Sequence, residues 1–140
     1  MLSSNQINDL LIELIDAEQS RQNGKFIPSH DYLKKIMNQA ELLIHYENNK
    51  VVGFIFYYCN DNKTKTSYIT LIGIDPSVRG KGVSRALLNY VLNITKARGF
   101  SNCLLEVRKE NLIALKFYQK NGFCVVEERG DKLLMKLKVD

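Results

Sequence analysis

The chain has 140 residues, of which 45% are hydrophobic and 25% charged, a balance that excludes a disordered segment and fits one domain burying roughly two thirds of its unfolded surface. The longest apolar run, Val51 to Cys59, is too short to cross a bilayer as a helix, and Met1 to Asn8 lacks the basic start and apolar block of a secretion signal, so a cytoplasmic location is expected. The formal net charge of +5 fits a basic surface for nucleic acid or a basic mouth for a polyphosphate ligand; lysines spread along the whole chain, without an aromatic RNA-binding pattern, argue against nucleic acid.

In chain order, the first predicted element is a helix opened by a capping box of Ser3 and Gln6, with Leu2 placed to staple onto Ile7. Ile7, Leu10, Leu11, Leu14 and Ile15 draw one apolar stripe, and Asn23-Gly24 stops it. Phe26-Ile27-Pro28 leads to a second helix capped by Ser29, with Leu33, Ile36 and Met37 inward. Leu42 to Tyr46 and Val51 to Cys59 flank Asn48-Asn49 and predict a β-hairpin. After a polar loop, a third strand runs from Thr66 to Ile74. Gly73 gives up packing and backbone entropy there, so a bulge or a close approach is expected.

Asp75 and Pro76 end that strand, and Val83, Ala86, Leu87, Tyr90, Val91 and Ile94 recur at helical spacing. Arg79, Gly80, Lys81 and Gly82 fall where this helix opens, so unpaired backbone N–H groups and the positive end of the dipole face an incoming anion. The glycines let a phosphate approach the main chain, and Arg79 and Lys81 add charge. Two better-known phosphate loops are excluded: Gly80-Lys81-Gly82-Val83-Ser84 does not supply the P-loop pattern, and Arg85 stands where the dinucleotide fingerprint needs its third glycine. Lys96 and Arg98 favour the negative end of the helix, and Gly99 caps it.

Cys103 to Val107 is an apolar strand interrupted by Glu106, a carboxylate that either pairs with Arg108 or a lysine or serves chemistry. Asn111 caps the last helix, which turns Ala114, Phe117 and Tyr118 inward and stops at Asn121-Gly122. Phe123 to Glu128 and Lys132 to Lys138 form a closing hairpin about Gly130-Asp131. The three cysteines, Cys59, Cys103 and Cys124, stand singly in apolar segments and read as reduced core residues. His30 and His45 are isolated, so neither a metal site nor a Ser-His-Asp triad is expected.

The loop Arg79 to Val83, followed by LEVRKENLIALKFYQKNGF, resembles the GNAT superfamily of N-acetyltransferases, nearest to the branch that acetylates the N-terminal amine of a ribosomal protein. Agreement runs from about Ala40 to the end and is strongest over Tyr68 to Phe123. The resemblance implies one α+β domain of GNAT fold over residues 1–140: a mixed, twisted sheet of about six strands flanked by about four helices, without the strand that opens most relatives. It implies acetyl-coenzyme A (acetyl-CoA) as cosubstrate, its pyrophosphate on Arg79, Gly80, Lys81, Gly82, Val83 and Ser84. Ser84 departs from the glycine or alanine that the family has in the last place. Gly73 and Ile74 match the bulged strand end that receives the pantetheine arm, with the thioester carbonyl on the Ile74 N–H. Asn111 matches a residue that contacts the cofactor arm, although helix capping alone would justify it.

Glu106 matches the family base that deprotonates the ammonium directly or through water, and burial in its strand is expected to assist it. Tyr118 matches the acid that protonates the coenzyme A sulfur; its other reading is a core tyrosine. Phe26 and Tyr32 are candidate acceptor contacts, or simply core or surface aromatics. The resulting expectation is transfer of an acetyl group to a primary amine by direct attack, with no metal and no membrane partner, by a monomer or homodimer. The acceptor stays open between a protein N-terminus and a small amine or amino sugar. A non-catalytic acyl-CoA-binding domain and a basic RNA-binding module are the alternatives from other classes.

Overall fold

The computed structural model describes residues 2–140. Its elements are α1 (Ser4–Arg21), α2 (His30–Gln39), β1 (Glu41–Glu47), β2 (Lys50–Asp61), β3 (Thr66–Ile74), α3 (Val83–Ala97), β4 (Asn102–Arg108), α4 (Leu112–Lys120), β5 (Cys124–Arg129) and β6 (Lys132–Lys138), with a 3₁₀ turn at Pro76–Val78. The strands form one six-stranded sheet in the order β1-β2-β3-β4-β6-β5. It is mixed, since β4 runs parallel to β3 and antiparallel to β6. Among the described residues the first element is α1, and no strand precedes it.

Local chemistry accounts for the element boundaries. The Ser3 hydroxyl accepts from Gln6 N at 3.1 Å while the Gln6 side chain accepts from Ser3 N at 2.7 Å, closing the capping box of α1. Ser29 caps α2 through Tyr32 N at 3.1 Å. Asn48 and Asn49 both take positive φ, 51° and 60°, as a two-residue turn between right-twisted strands demands.

Contacts divide the chain into two compact units, one from the chain up to Phe56 together with Leu71–Asn89, the other from Tyr57–Thr70 and Tyr90–Asp140. The first has a core of Leu11, Leu14, Ile15, Leu33, Ile36, Val51, Phe54, Phe56 and Leu71. Phe26 meets Phe54 edge-on at 6.1 Å. A Cβ on Gly73 would lie 2.5 Å from the Phe54 ring, so close approach, one of the two options offered by the sequence, explains this glycine.

In the second unit, Ser67 Oγ and Thr95 Oγ1 pair at 2.7 Å, both fully buried, and the Thr95 hydroxyl also donates to Val91 O at 2.8 Å. Along β4, burial alternates strictly: Cys103, Leu105 and Val107 are buried, whereas Leu104, Glu106 and Arg108 are only half-buried. Glu106 is therefore less enclosed than its apolar surroundings in the sequence led one to expect.

Two further expectations need correction. Cys124 is exposed, not a core residue, because β5 is the edge strand and every residue in it is exposed. Ala86 and Tyr90 are also exposed, since the buried stripe of α3 is Val83, Leu87, Leu88, Val91 and Thr95.

Candidate active site

The glycine loop belongs to the first unit and is anchored from both ends. Gly53 brings β2 close to the start of α3: a Cβ there would lie 2.9 Å from Val83 and 3.3 Å from Ile74 and Leu87. Asp75 N donates to Val52 O at 2.8 Å, while its carboxylate accepts from Ser77 N at 2.9 Å and pairs with Lys50 at 3.2 Å. The chain then turns through Val78 N to Asp75 O, Arg79 N to Pro76 O and Lys81 N to Val78 O, at 3.1, 3.3 and 3.2 Å. Gly80 and Gly82 take φ of 77° and 80°, which L side chains rarely adopt. Nothing lies within 4 Å of where either Cβ would be.

Ala86 N is bound to Gly82 O at 3.0 Å, so the amides of Val83, Ser84 and Arg85 lie ahead of the first helical hydrogen bond, at the positive end of α3. Arg79, Gly80, Lys81 and Gly82 are exposed, Ser84 is half-buried and Val83 is buried as the anchor. Open space, free amides and two cations suit a phosphate group.

The Ser77 amide and the Lys50 ammonium hold the Asp75 carboxyl down at about 2. A depressed carboxylate stabilises the fold above its unfolded pKa, near 3.9, and that contribution disappears as pH falls through the folded value. Asp75→Asn is thus expected to cost on the order of 1–2 kcal/mol at neutral pH, less near pH 2. Urea unfolding of wild type and variant at pH 6 and pH 2.5 checks this; an equal difference at both would remove Asp75 from the acid response.

Glu106, Asn111 and Tyr118 belong to the second unit. The Tyr118 ring is 6% exposed, against Phe117 at 5.3 Å and Phe123 at 5.7 Å. Burial pushes its phenol upward, so it keeps its proton. No buried side-chain nitrogen or oxygen among the described residues lacks a partner.

Glu106 accepts from the Tyr68 hydroxyl at 3.2 Å through Oε1, and its Oε2 lies 3.6 Å from Arg129. A quarter of its side chain remains exposed. The neighbour is neither Arg108 nor a lysine: Arg108 pairs with Asp131 at 3.1 Å. Tyr68 and Arg129 were not singled out in the sequence, because the register of β3 on β4, with Tyr68 opposite Leu104, supplies the first, and the turn back into β5 and β6 supplies the second.

Asn111 is exposed and caps α4 by accepting from Ala114 N at 3.2 Å. Phe26 and Tyr32 are partly buried against the first unit's core. Gln19 clamps the linker beside Phe26, accepting from Ile27 N at 2.9 Å and donating to Gly24 O and Ile27 O at 3.1 and 3.0 Å. Gly53, like Gly73, is a glycine inside a predicted strand, a position where lost packing signals a close approach.

Among the described residues, no group of three or more His, Cys, Asp or Glu is arranged to hold a metal ion, and no helix is long and apolar enough to cross a membrane.

Residues 10–123 match the model of the acetyltransferase (GNAT) family. The match spans most of the chain, and the chain belongs to that family. It is 35% identical over 98 residues to an uncharacterized N-acetyltransferase of Methanocaldococcus jannaschii, a match covering 66% of this chain and 43% of the relative. It is 33% identical over 101 residues to N-alpha-acetyltransferase 50 of Danio rerio, covering 70% of this chain and 60% of that protein. The chain thus spans less than two thirds of the length of either relative.

Among solved structures, a GNAT-family acetyltransferase from Staphylococcus aureus superposes with a TM-score of 0.80 at 18% identity, covering 100% of this chain and 98% of that one. The ribosomal-protein-alanine N-acetyltransferase of Escherichia coli gives a TM-score of 0.71 at 22% identity, covering 83% of this chain and 80% of that one. At these identities the likeness is one of fold.

Proposed function

We propose that residues 1–140 act as one N-acetyltransferase domain that moves the acetyl group of acetyl-CoA to a primary amine by direct attack. The observation that carries this reading is the loop from Arg79 to Ser84, where two left-handed glycines stand among cations at the free amides of α3, in a chain of the GNAT family. In this reading Arg79, Gly80, Lys81, Gly82, Val83 and Ser84 hold the pyrophosphate, and Gly73, Ile74 and Asn111 serve the pantetheine arm. The Ile74 N–H takes the thioester carbonyl, a donor that contributes on the order of 3 kcal/mol to an oxyanionic transition state.

Glu106 draws the proton from the ammonium, directly or through water, and Tyr118 returns one to the departing sulfur. Relay through Cys103 is disfavoured, since burial pushes its thiol up to about 11, and Cys59 is buried as well. A protein N-terminus is the acceptor class we favour, since the Danio relative, 33% identical, is named an N-alpha-acetyltransferase. A small amine or amino sugar is the second class, and Phe26 and Tyr32 are the residues proposed to face either.

Acetyl-CoA turnover against a panel of N-terminal peptides, polyamines and amino sugars tests the reading. Coenzyme A binding without turnover of any amine would leave a binding domain, and salt-dependent RNA binding without coenzyme A binding would replace the proposal altogether. Gly82→Val sharpens it: at φ of 80° a β-branched residue is strained, so the loop must rearrange although the surrounding space is open. Calorimetry is expected to show coenzyme A affinity lost in a variant that still unfolds cooperatively; unchanged affinity would move the cosubstrate to another site.

A further inference from the structure

Among the buried residues described, Glu18 is the only carboxylate, 2% exposed near the end of α1. It continues the apolar stripe of Leu11, Leu14 and Ile15, so a charge occupies a position where the helix otherwise buries hydrocarbon. Such a group persists only when donors surround it. Arg21 donates to Oε1 through Nε at 2.7 Å and through Nη2, and Gln22 Nε2 donates to Oε2 at 2.9 Å. These two neighbours on the same helix already meet its requirement for charge and hydrogen bonds.

A third group is also present: Arg79 Nη2 lies 3.9 Å from Glu18 Oε1, within ion-pair range but beyond a hydrogen bond. Its side chain is 61% exposed. Arg79 thus lies beside the buried charge without a hydrogen bond to it, and two guanidinium groups share one carboxylate, leaving one net positive charge. An arginine at a loop otherwise samples many rotamers, and an anion that binds it must order it; a fixed counter-charge removes part of that cost in advance.

We propose that Glu18 is a positioning residue for coenzyme A: its carboxylate, locked by Arg21 and Gln22, holds the Arg79 guanidinium in the orientation that meets the cosubstrate's pyrophosphate. This rests on the assignment of the Arg79 to Ser84 loop to acetyl-CoA. Glu18 touches neither ligand nor reacting atoms in this scheme and acts only through Arg79.

The test is a double-mutant cycle on the full chain, with coenzyme A affinity read by calorimetry for wild type, Glu18→Gln, Arg79→Ala and the double variant. Arg79→Ala is expected to weaken binding about 10-fold and Glu18→Gln about 3- to 10-fold, while the double variant binds like Arg79→Ala alone. In turnover, Glu18→Gln is expected to raise the KM for acetyl-CoA and leave kcat unchanged. If the Glu18→Gln loss persists undiminished without Arg79, Glu18 is merely structural and the inference falls.

If Glu18→Gln does not fold, Glu18→Asp repeats the cycle: it keeps the charge but withdraws it by one methylene, and the same coupling is expected, its absence overturning the inference. Wild type that binds no coenzyme A, or Arg79→Ala that binds it as well as wild type does, would instead overturn the loop assignment, an outcome distinct from additive losses.

Discussion

Tyr118→Phe is expected to slow acetyl transfer by roughly 10²- to 10⁴-fold while leaving coenzyme A affinity and melting temperature near wild type. The change removes one hydroxyl from a ring held by Phe117 and Phe123. The ring and its edge-on packing are kept, so little of the fold's stability goes with the hydroxyl. The whole effect should therefore fall on kcat, at the step where the leaving thiolate must gain a proton. Because burial raises the phenol, it stays protonated and contributes no basic limb to the rate over roughly pH 6 to 9. Wild-type turnover at saturating acetyl-CoA would return Tyr118 to the core tyrosine that its ring contacts already describe.

Glu106→Gln should also reduce turnover, by roughly 10²-fold near neutral pH, but with a deficit that narrows as pH rises. An acceptor ammonium that meets no base must lose its proton to solvent, and that becomes easier toward the amine's own pKa. Glutamine can still accept from the Tyr68 hydroxyl, and the lost pair with the half-exposed Arg129 is worth little, so stability is expected to change by less than about 1 kcal/mol. The pH profile of kcat/KM for the acceptor, measured for wild type and variant side by side, discriminates the roles. A deficit of constant size at every pH would make Glu106 an orienting group, and no deficit would make it the strand glutamate that pairs with Arg129.

Much of this was legible in the sequence, for reasons that act within a few residues. Capping boxes, paired asparagines at a tight turn and glycines at helix ends are local devices, and α1, the β1–β2 turn and the ends of α3 and α4 appear where those devices stand. The loop from Arg79 to Gly82 is local too: positive φ at Gly80 and Gly82 and free amides at Val83 and Ser84 follow from neighbours in the chain. What the sequence could not reveal depends on register and on which face packs. Cys124 and Tyr90 are apolar by type, yet an edge strand and the flank of a helix leave them exposed.

Glu106 was visible as a carboxylate in an apolar strand, but its neighbours come from the pairing of β3 with β4 and from the return of the chain through β5, partners far apart along the sequence. Glu18 is the clearest case. By itself it is a charge at the end of an amphipathic helix, ordinary on a solvated face. Its partner Arg21 is local, three residues on, but only the packing that sets this turn of α1 near the glycine loop buries the carboxylate and adds Arg79, because burial is a property of what covers a residue and covering is not written in its neighbours.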